Sequence, residues 1–269
     1  MVAAAKLRRA QEAITAAKPF ANQLQKILAN LAASDSEFMH PYFETRKDVN
    51  SIVIVVISSD RGLCGGFNAN LMRTVALRIA ALRKEKSDVN ITLIPVGRRA
   101  VSSLGKGSEQ ILREFPDVFL KIDFSTAVEI MDEVSNGFLV GRFDRVEVIH
   151  NEFISIIRQE VRTMQLLPFA PSTGTETKKS SANVDYIFEP SLADILDSLL
   201  PKYLNMMMWR SLLDSNAAEQ AARMMAMENA TNNARDLITS LQLIYNRERQ
   251  ASITKEMLEI VGGAEALTA

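Results

Sequence analysis

Apolar residues near the start of the chain recur with a heptad spacing. Leu7, Ile14, Ala21 and Leu28 form one row, and Ala10, Ala17, Leu24 and Leu31 form a second row three residues on. Two such rows are the a/d seam of a helix that pairs with another helix. Many seam residues are alanine, so a partner backbone can approach closely. Pro19 falls inside the run and is expected to bend the helix or start a new one. His40-Pro41 marks the exit from helix.

The pattern then changes. The run Ser51-Ile52-Val53-Ile54-Val55-Val56-Ile57 reads as a strand buried on both faces. Further strands are expected at 91–96, 145–150, 162–169 and 186–188, with helices at 69–86, 98–104 and 125–140 between them. Alternation of this kind predicts a partly parallel sheet flanked by helices. Residues 171–183 carry Ser, Thr, Gly and Lys and read as a polar surface loop.

After Pro201 no glycine or proline occurs until Gly262-Gly263. That leaves roughly 60 helix-compatible residues, a rod of roughly 90 Å at about 1.5 Å per residue. Met227, Ala230, Ala234, Leu237, Leu241 and Ile244 make a second seam. The expected organisation has three parts: an N-terminal helix (1–40), an α/β body (50–190) and a long C-terminal helix (191–269). The two terminal helices would pair as an antiparallel coiled coil. The longer one would then project past its partner, and a projecting helix with an apolar seam needs a surrounding protein.

Composition narrows the function. The formal charge of −1 over 269 residues argues against a nucleic-acid partner that needs a strongly basic face. A single cysteine, Cys64, rules out a disulfide framework and a multi-cysteine metal site within the chain. No apolar run reaches the length of a membrane span. The first nine residues lack the charge-then-apolar order of a signal peptide.

The stretch "SSDRGLCGGFNANL" (58–71) has the strand, glycine turn and helix of a phosphate cradle, with Asn68 as a candidate helix cap. The glycine spacing G-x-x-G-G fits no dinucleotide fingerprint, and Phe67 and Asn68 stand where a P-loop needs lysine and a hydroxyl. A tight turn is the better reading. Cys64 has no recognisable activating base, since His40 and His150 lie in no catalytic motif. Asp60 and Arg61 could form a catalytic pair, but such neighbours are more often a solvated charge pair or a contact to a partner. The polar stretch Asn246, Arg247, Arg249, Gln250, Thr254, Lys255 and Glu256 reads as a wet helix surface, or as a patch that hydrogen-bonds a partner. From the residues alone, an enzyme built on the α/β body and a coiled-coil scaffold both remain open.

Several segments together resemble one family. "SSDRGLCGGFNANL", "EQAARMMAMENATNNARDLI" (219–238) and "LQLIYNRERQASITKEMLEIVGGAEAL" (241–267) are similar to the characteristic motifs of the γ subunit of F-type ATP synthases, and "MVAAAKLRRAQ" looks like that family's N-terminal helix. The resemblance spans essentially the whole chain. It implies an α/β fold: a Rossmann-like, partly parallel sheet carrying a long antiparallel coiled coil of the N- and C-terminal helices. It also implies a non-catalytic rotor shaft, without cofactor or metal, inside a ring of α and β subunits and above the ε subunit and c ring. The assembly would be peripheral to a membrane, on the cytoplasmic side of a bacterial inner membrane, with the mitochondrial matrix side as the alternative. By the same resemblance, Arg249, Gln250, Thr254, Glu256, Arg61 and Cys64 would meet the β subunits. Gly262, Gly263 and Ala264 would sit in the apical bearing. Tyr186, Phe188 and Glu189 would lie in the foot near ε and the c ring. Two features of the family are missing: a lysine-rich helical stretch ahead of Met1, which would pair with the C-terminal tip, and the plant-chloroplast redox insert with its cysteine pair.

Overall fold

The computed structural model describes residues 2–34, 40–46, 48–169 and 192–268. The chain divides into two compact units, Met1–Met224 and Met225–Ala269.

The first unit is built on β1 (Ser51–Ile57), the middle strand of a five-stranded sheet with order β3-β2-β1-β4-β5. The remaining strands are β2 (Asn90–Val96), β3 (Gln110–Ile111), β4 (Arg145–Phe153) and β5 (Gln159–Leu167). β1 pairs in parallel with β2 and β4, β2 pairs in parallel with β3, and only β4–β5 is antiparallel. The unbroken apolar run of β1 follows from this position. Side chains alternate between faces along a strand, so Val53, Val55 and Ile57 enter one core while Ile52, Ile54 and Val56 enter another.

Helices cover both faces. On the Ile52 side lie α2 (Phe67–Glu85), through Leu71, Val75 and Leu82, and α3 (Arg98–Leu104), through Ala100. On the Val53 side lies α4 (Phe124–Leu139), whose Ala127, Ile130, Met131, Val134 and Phe138 recur at helical spacing. The Asp123 side chain caps α4 by accepting from the Ser125 N–H.

α1 (Val2–Ser34) and α5 (Leu192–Thr268) complete the Val53 side. Leu24 and Leu28 of α1 join Leu196, Leu200, Leu204, Met208 and Leu212 of α5 in the larger core. Leu7 and Ala10 pack against Ala217 and Ala221. Earlier residues of α1 thus meet later residues of α5, which is the expected antiparallel pairing. Alanines on both sides of the Ala10 contact permit the close approach.

One expectation is narrowed and two details are added. Pro19 lies inside one continuous helix and begins no new one. α5 starts at Leu192, so Pro201 is internal too, and it runs through Gly262 and Gly263 to Thr268. An internal proline costs about 3 kcal/mol. Leu196, Leu200 and Leu204 flank Pro201 and are buried; at about 1.5–3 kcal/mol each their burial outweighs that cost. β3 was not anticipated, because two residues carry no periodic signal. The candidate strand 186–188, with Tyr186, Phe188 and Glu189, lies outside the described residues, as does the polar loop 171–183.

The second unit is helical from Met225 to Thr268. The seam residues Leu237, Leu241 and Ile244 are exposed, and so are Leu243, Tyr245, Leu258 and Ile260, which point elsewhere around the helix. Exposed apolar side chains on several faces of one helix, set among polar ones, suit contact with a surrounding protein.

Candidate functional site

The glycine loop is fixed from three directions. At the end of β1, the Ser58 hydroxyl accepts from the Ala100 N–H at 2.7 Å. Here the chain segments touch: a Cβ on Gly97, whose φ is +90°, would stand 2.4 Å from the Ser58 carbonyl oxygen. Asp60 follows. Its Oδ1 accepts from the Arg98 N–H at 2.9 Å and its Oδ2 from the Phe119 N–H at 2.7 Å. The solvated Asp60–Arg61 pair is therefore corrected: Asp60 is buried, 8% exposed, and joins three segments through backbone donors.

The second tie is Asn68. Gly66 is the N-cap residue of α2, without a side-chain cap, so Asn68 is not the cap the motif suggested. Asn68 points back into the loop. Its Oδ1 accepts from the Ser59 N–H at 3.2 Å and its Nδ2 donates to the Cys64 sulfur at 3.2 Å. The Ser59 hydroxyl closes the turn by donating to the Arg61 carbonyl at 2.8 Å.

The third tie comes from α5. Arg223 donates from Nη1 to the Gly62 carbonyl at 2.7 Å and pairs through Nη2 with Glu219 one turn earlier. The second oxygen of Glu219 is buried with no partner among the described residues. Burial, opposed by the Arg223 hydrogen bond, pushes the Glu219 carboxyl above its ordinary range.

This geometry does not make a phosphate cradle. An anion needs N–H donors, and here the Ser59 N–H is spent on Asn68 Oδ1 at 3.2 Å and the Phe67 N–H on the Cys64 carbonyl at 3.2 Å. The Arg99 guanidinium fills the space beside Gly62, where a Cβ would meet it at 2.6 Å. Cys64 is 2% exposed and packs with Phe67 and Ala218. Burial raises its thiol pKa, which keeps it in the unreactive protonated form. The exposed residues of the loop are Arg61, Leu63, which is 77% exposed, Gly65 and Gly66, of which Arg61 and Leu63 carry side chains. A partner meeting this loop would touch those two side chains, with Cys64 behind them.

In the second unit, α5 carries Arg249, Gln250, Thr254 and Glu256 within two turns, all exposed. Arg249, Ile253 and Glu256 fall in one row, with Gln250, Thr254 and Met257 in the adjacent row. The patch is thus mixed, with fork donors beside apolar side chains. Thr254 donates to the Gln250 carbonyl at 2.9 Å. Gly262 and Gly263 are helical, and a Cβ on either would meet nothing within 4 Å; Ala264 follows, also exposed.

Sequence reasoning missed Glu219, Arg223, Asn68 and Arg99 as determinants of the loop. The i,i+4 spacing of Glu219 and Arg223 was the one available signal, but it does not say that the pair faces Gly62. Among the described residues no cluster of His, Cys, Asp and Glu is placed to hold a metal ion, and no helix is long and apolar enough to cross a membrane.

Comparison with known proteins agrees with this architecture. The ATP synthase family profile matches residues 1–267. The ATP synthase gamma chain of Chlorobaculum parvum is 46% identical, over 99% of this chain and 91% of that protein. The gamma chain of Cytophaga hutchinsonii is 42% identical over the same shares. Among solved structures, a chain of the central stalk and c ring of the Tetrahymena thermophila mitochondrial ATP synthase superposes with a TM-score of 0.59 at 25% identity, covering 86% of this chain and all of that one. A chain of the Euglena gracilis mitochondrial ATP synthase superposes at 0.60 with 18% identity, over 98% of this chain and 95% of that one, and shares the fold. With the family profile matching residues 1–267 and sequence identity of 42–46% to these gamma chains running nearly end to end, the chain belongs to the ATP synthase gamma-chain family.

Proposed function

We propose that this chain is the central rotor shaft of a proton-translocating F-type ATP synthase. It couples rotation of the membrane c ring to conformational cycling of the catalytic β subunits, and performs no chemistry itself. The α and β subunits surround the long helix; ε and the c ring bind the body. The assembly is peripheral to the membrane, on the cytoplasmic side of a bacterial inner membrane. Three parts divide the work: helix 1–40, body 50–190 and helix 191–269.

The observation that supports this reading best is the exposed apolar surface of residues 227–261, spread around the helix. Such a surface suits an enclosing partner that contacts the helix on every side. A shaft drives its neighbours only by interacting differently with their states. In this reading the mixed patch supplies that difference. Arg249, Gln250, Thr254 and Glu256 hydrogen-bond one β subunit at a time, and Arg61, with Cys64 behind it, passes the β subunits at the base. Gly262, Gly263 and Ala264 turn in the apical bearing, where small residues limit friction. Tyr186, Phe188 and Glu189 form the foot against ε and the c ring.

The contact is tested by Arg249→Ala and Gln250→Ala in the assembled complex. Each removes about 1–3 kcal/mol of hydrogen bonding to a partly buried partner. Turnover and coupling should fall while the melting temperature of the isolated chain stays constant. Unchanged coupling in both variants overturns the assignment of this patch.

A further inference from the structure

Two loops leave the same end of the sheet, because β1 and β4 run in parallel. One is the glycine loop after β1. The other is the turn 154–158 between β4 and β5. Phe153 stands at the base of that turn. It packs against the Cys64–Phe67 cluster under the glycine loop and against the α1–α5 contact at Ala10 and Ala221. The hairpin is therefore seated on the glycine loop and on both long helices.

Both loops depart from the rules of their own local geometry. A two-residue hairpin turn favours glycine or asparagine at positive φ. Here Ile156 and Ile157 stand between Ser155 and Arg158, and neither has a positive φ. Side chains brace the turn instead. The Ser155 hydroxyl accepts from the Arg158 N–H at 3.1 Å, and Gln159 Nε2 donates to the Ser155 and Ile156 carbonyls at 3.1 and 2.6 Å. In the glycine loop, Leu63 is held at a φ of +62°, a left-handed conformation that bulky side chains resist. Each departure displays an apolar side chain. Ile157 is 85% exposed and Leu63 77%, and Ile154 and Ile156 are exposed beside them. Local rules are broken in this way where a surface has work to do.

Charge and position choose the occupant. The cations flanking the tip are neutralised, Arg158 by Glu160 at 2.7 Å and Arg162 by Glu152 at 2.7 Å. A lipid surface calls for unneutralised lysine or arginine around the apolar side chains; an apolar protein surface does not. Ala218 and Ala222, the α5 residues in the cluster under Phe153, lie just before Met224, the last residue of the first unit. On the reading of this chain as a shaft, the enclosing subunits surround the residues that follow.

We infer that Leu63, Ile154, Ile156 and Ile157 together form a rigid apolar contact surface for the β subunits. It rests on the shaft reading and extends it: the body meets β through these four side chains, in a contact without ion pairs at the hairpin tip.

The test uses the full chain assembled with α and β subunits. Co-purification is read first, and a chain that fails to join β refutes the shaft reading and this surface with it. In the assembled complex, Ile157→Cys carrying a benzophenone maleimide should cross-link to β on irradiation. The yield should be at least tenfold above that of Leu77→Cys, at an exposed residue of α2; native Cys64 is buried. Ile156→Ser combined with Ile157→Ser should slow ATP-driven rotation of a loaded bead at least twofold, and Leu77→Ser should leave it unchanged. If the double variant does not fold, Leu63→Ser should give the same slowing. The surface is overturned, with the shaft reading intact, if the complex assembles and Ile157→Cys cross-links to α alone or to no subunit, or if the serine variants rotate as wild type. Sedimentation of the free chain with phosphatidylglycerol vesicles, lost in the double variant, would assign the surface to a lipid and overturn it as well.

Discussion

Arg223 on α5 donates to the carbonyl of Gly62 at 2.7 Å across 161 positions of sequence, and Glu219 holds its other terminal nitrogen. A side chain of the long helix thereby fixes the backbone of the glycine loop. In a shaft, that tie joins the body to the helix at a point where torque must pass.

Replacing Arg223 by methionine keeps the alkyl length and removes the fork. It breaks a charged hydrogen bond to backbone and leaves Glu219, 4% exposed, without its cation. The expected loss is about 1.5–3 kcal/mol, read from urea unfolding. Amide exchange should accelerate at residues 62–66 more than in β1. A uniform rise along the chain would assign the effect to global stability and remove the local tie.

His150 makes stability depend on pH. Its folded pKa of about 4 lies below its ordinary value of 6.5, so between these values the unfolded chain binds more protons. Stability from this group is complete above pH 6.5 and is lost as the pH falls toward 4. The full effect is about 3 kcal/mol. His150→Gln should flatten the stability curve in that window relative to wild type. Equal slopes in the two proteins would contradict a buried neutral imidazole.

Two glycines should respond in opposite directions. Gly97→Ala forces a Cβ to 2.4 Å from the Ser58 carbonyl at a φ of +90°. Left-handed strain and overpacking together cost roughly 2–5 kcal/mol. Gly262→Ala meets nothing within 4 Å and lies in a helix, so the isolated chain should gain roughly 0.5–1 kcal/mol of helix stability. Thermal unfolding monitored by circular dichroism separates the two, and a destabilised Gly262→Ala would mean that the helix does not extend through that position.

How much of this was legible beforehand depends on the range of the forces involved. The apolar run of β1 and the seam row of α1 are local patterns, and they located the sheet centre and one side of the helix pairing; the α5 seam read at 227–244 is exposed, and α1 packs on residues 196–221 instead. Pro19 starts no new helix, because the local cost of proline is outweighed by packing from distant segments. Asp60 looked solvated because its partners, the N–H groups of Arg98 and Phe119, lie 38 and 59 residues away. The glycine loop was correctly read as a turn from the missing lysine and hydroxyl. Its attachment to Arg223 required the fold.

The central claim, that this chain turns inside its partners, is tested most directly by watching it turn. A bead is attached through Lys106→Cys, an exposed position, after assembly of the chain with α and β subunits immobilised on glass. Native Cys64 is buried and should not compete for the label. Addition of ATP should produce stepwise rotation in one direction. A chain that fails to join the ring, or a bead that only fluctuates while the complex hydrolyses ATP, would contradict the assignment of this protein as the shaft.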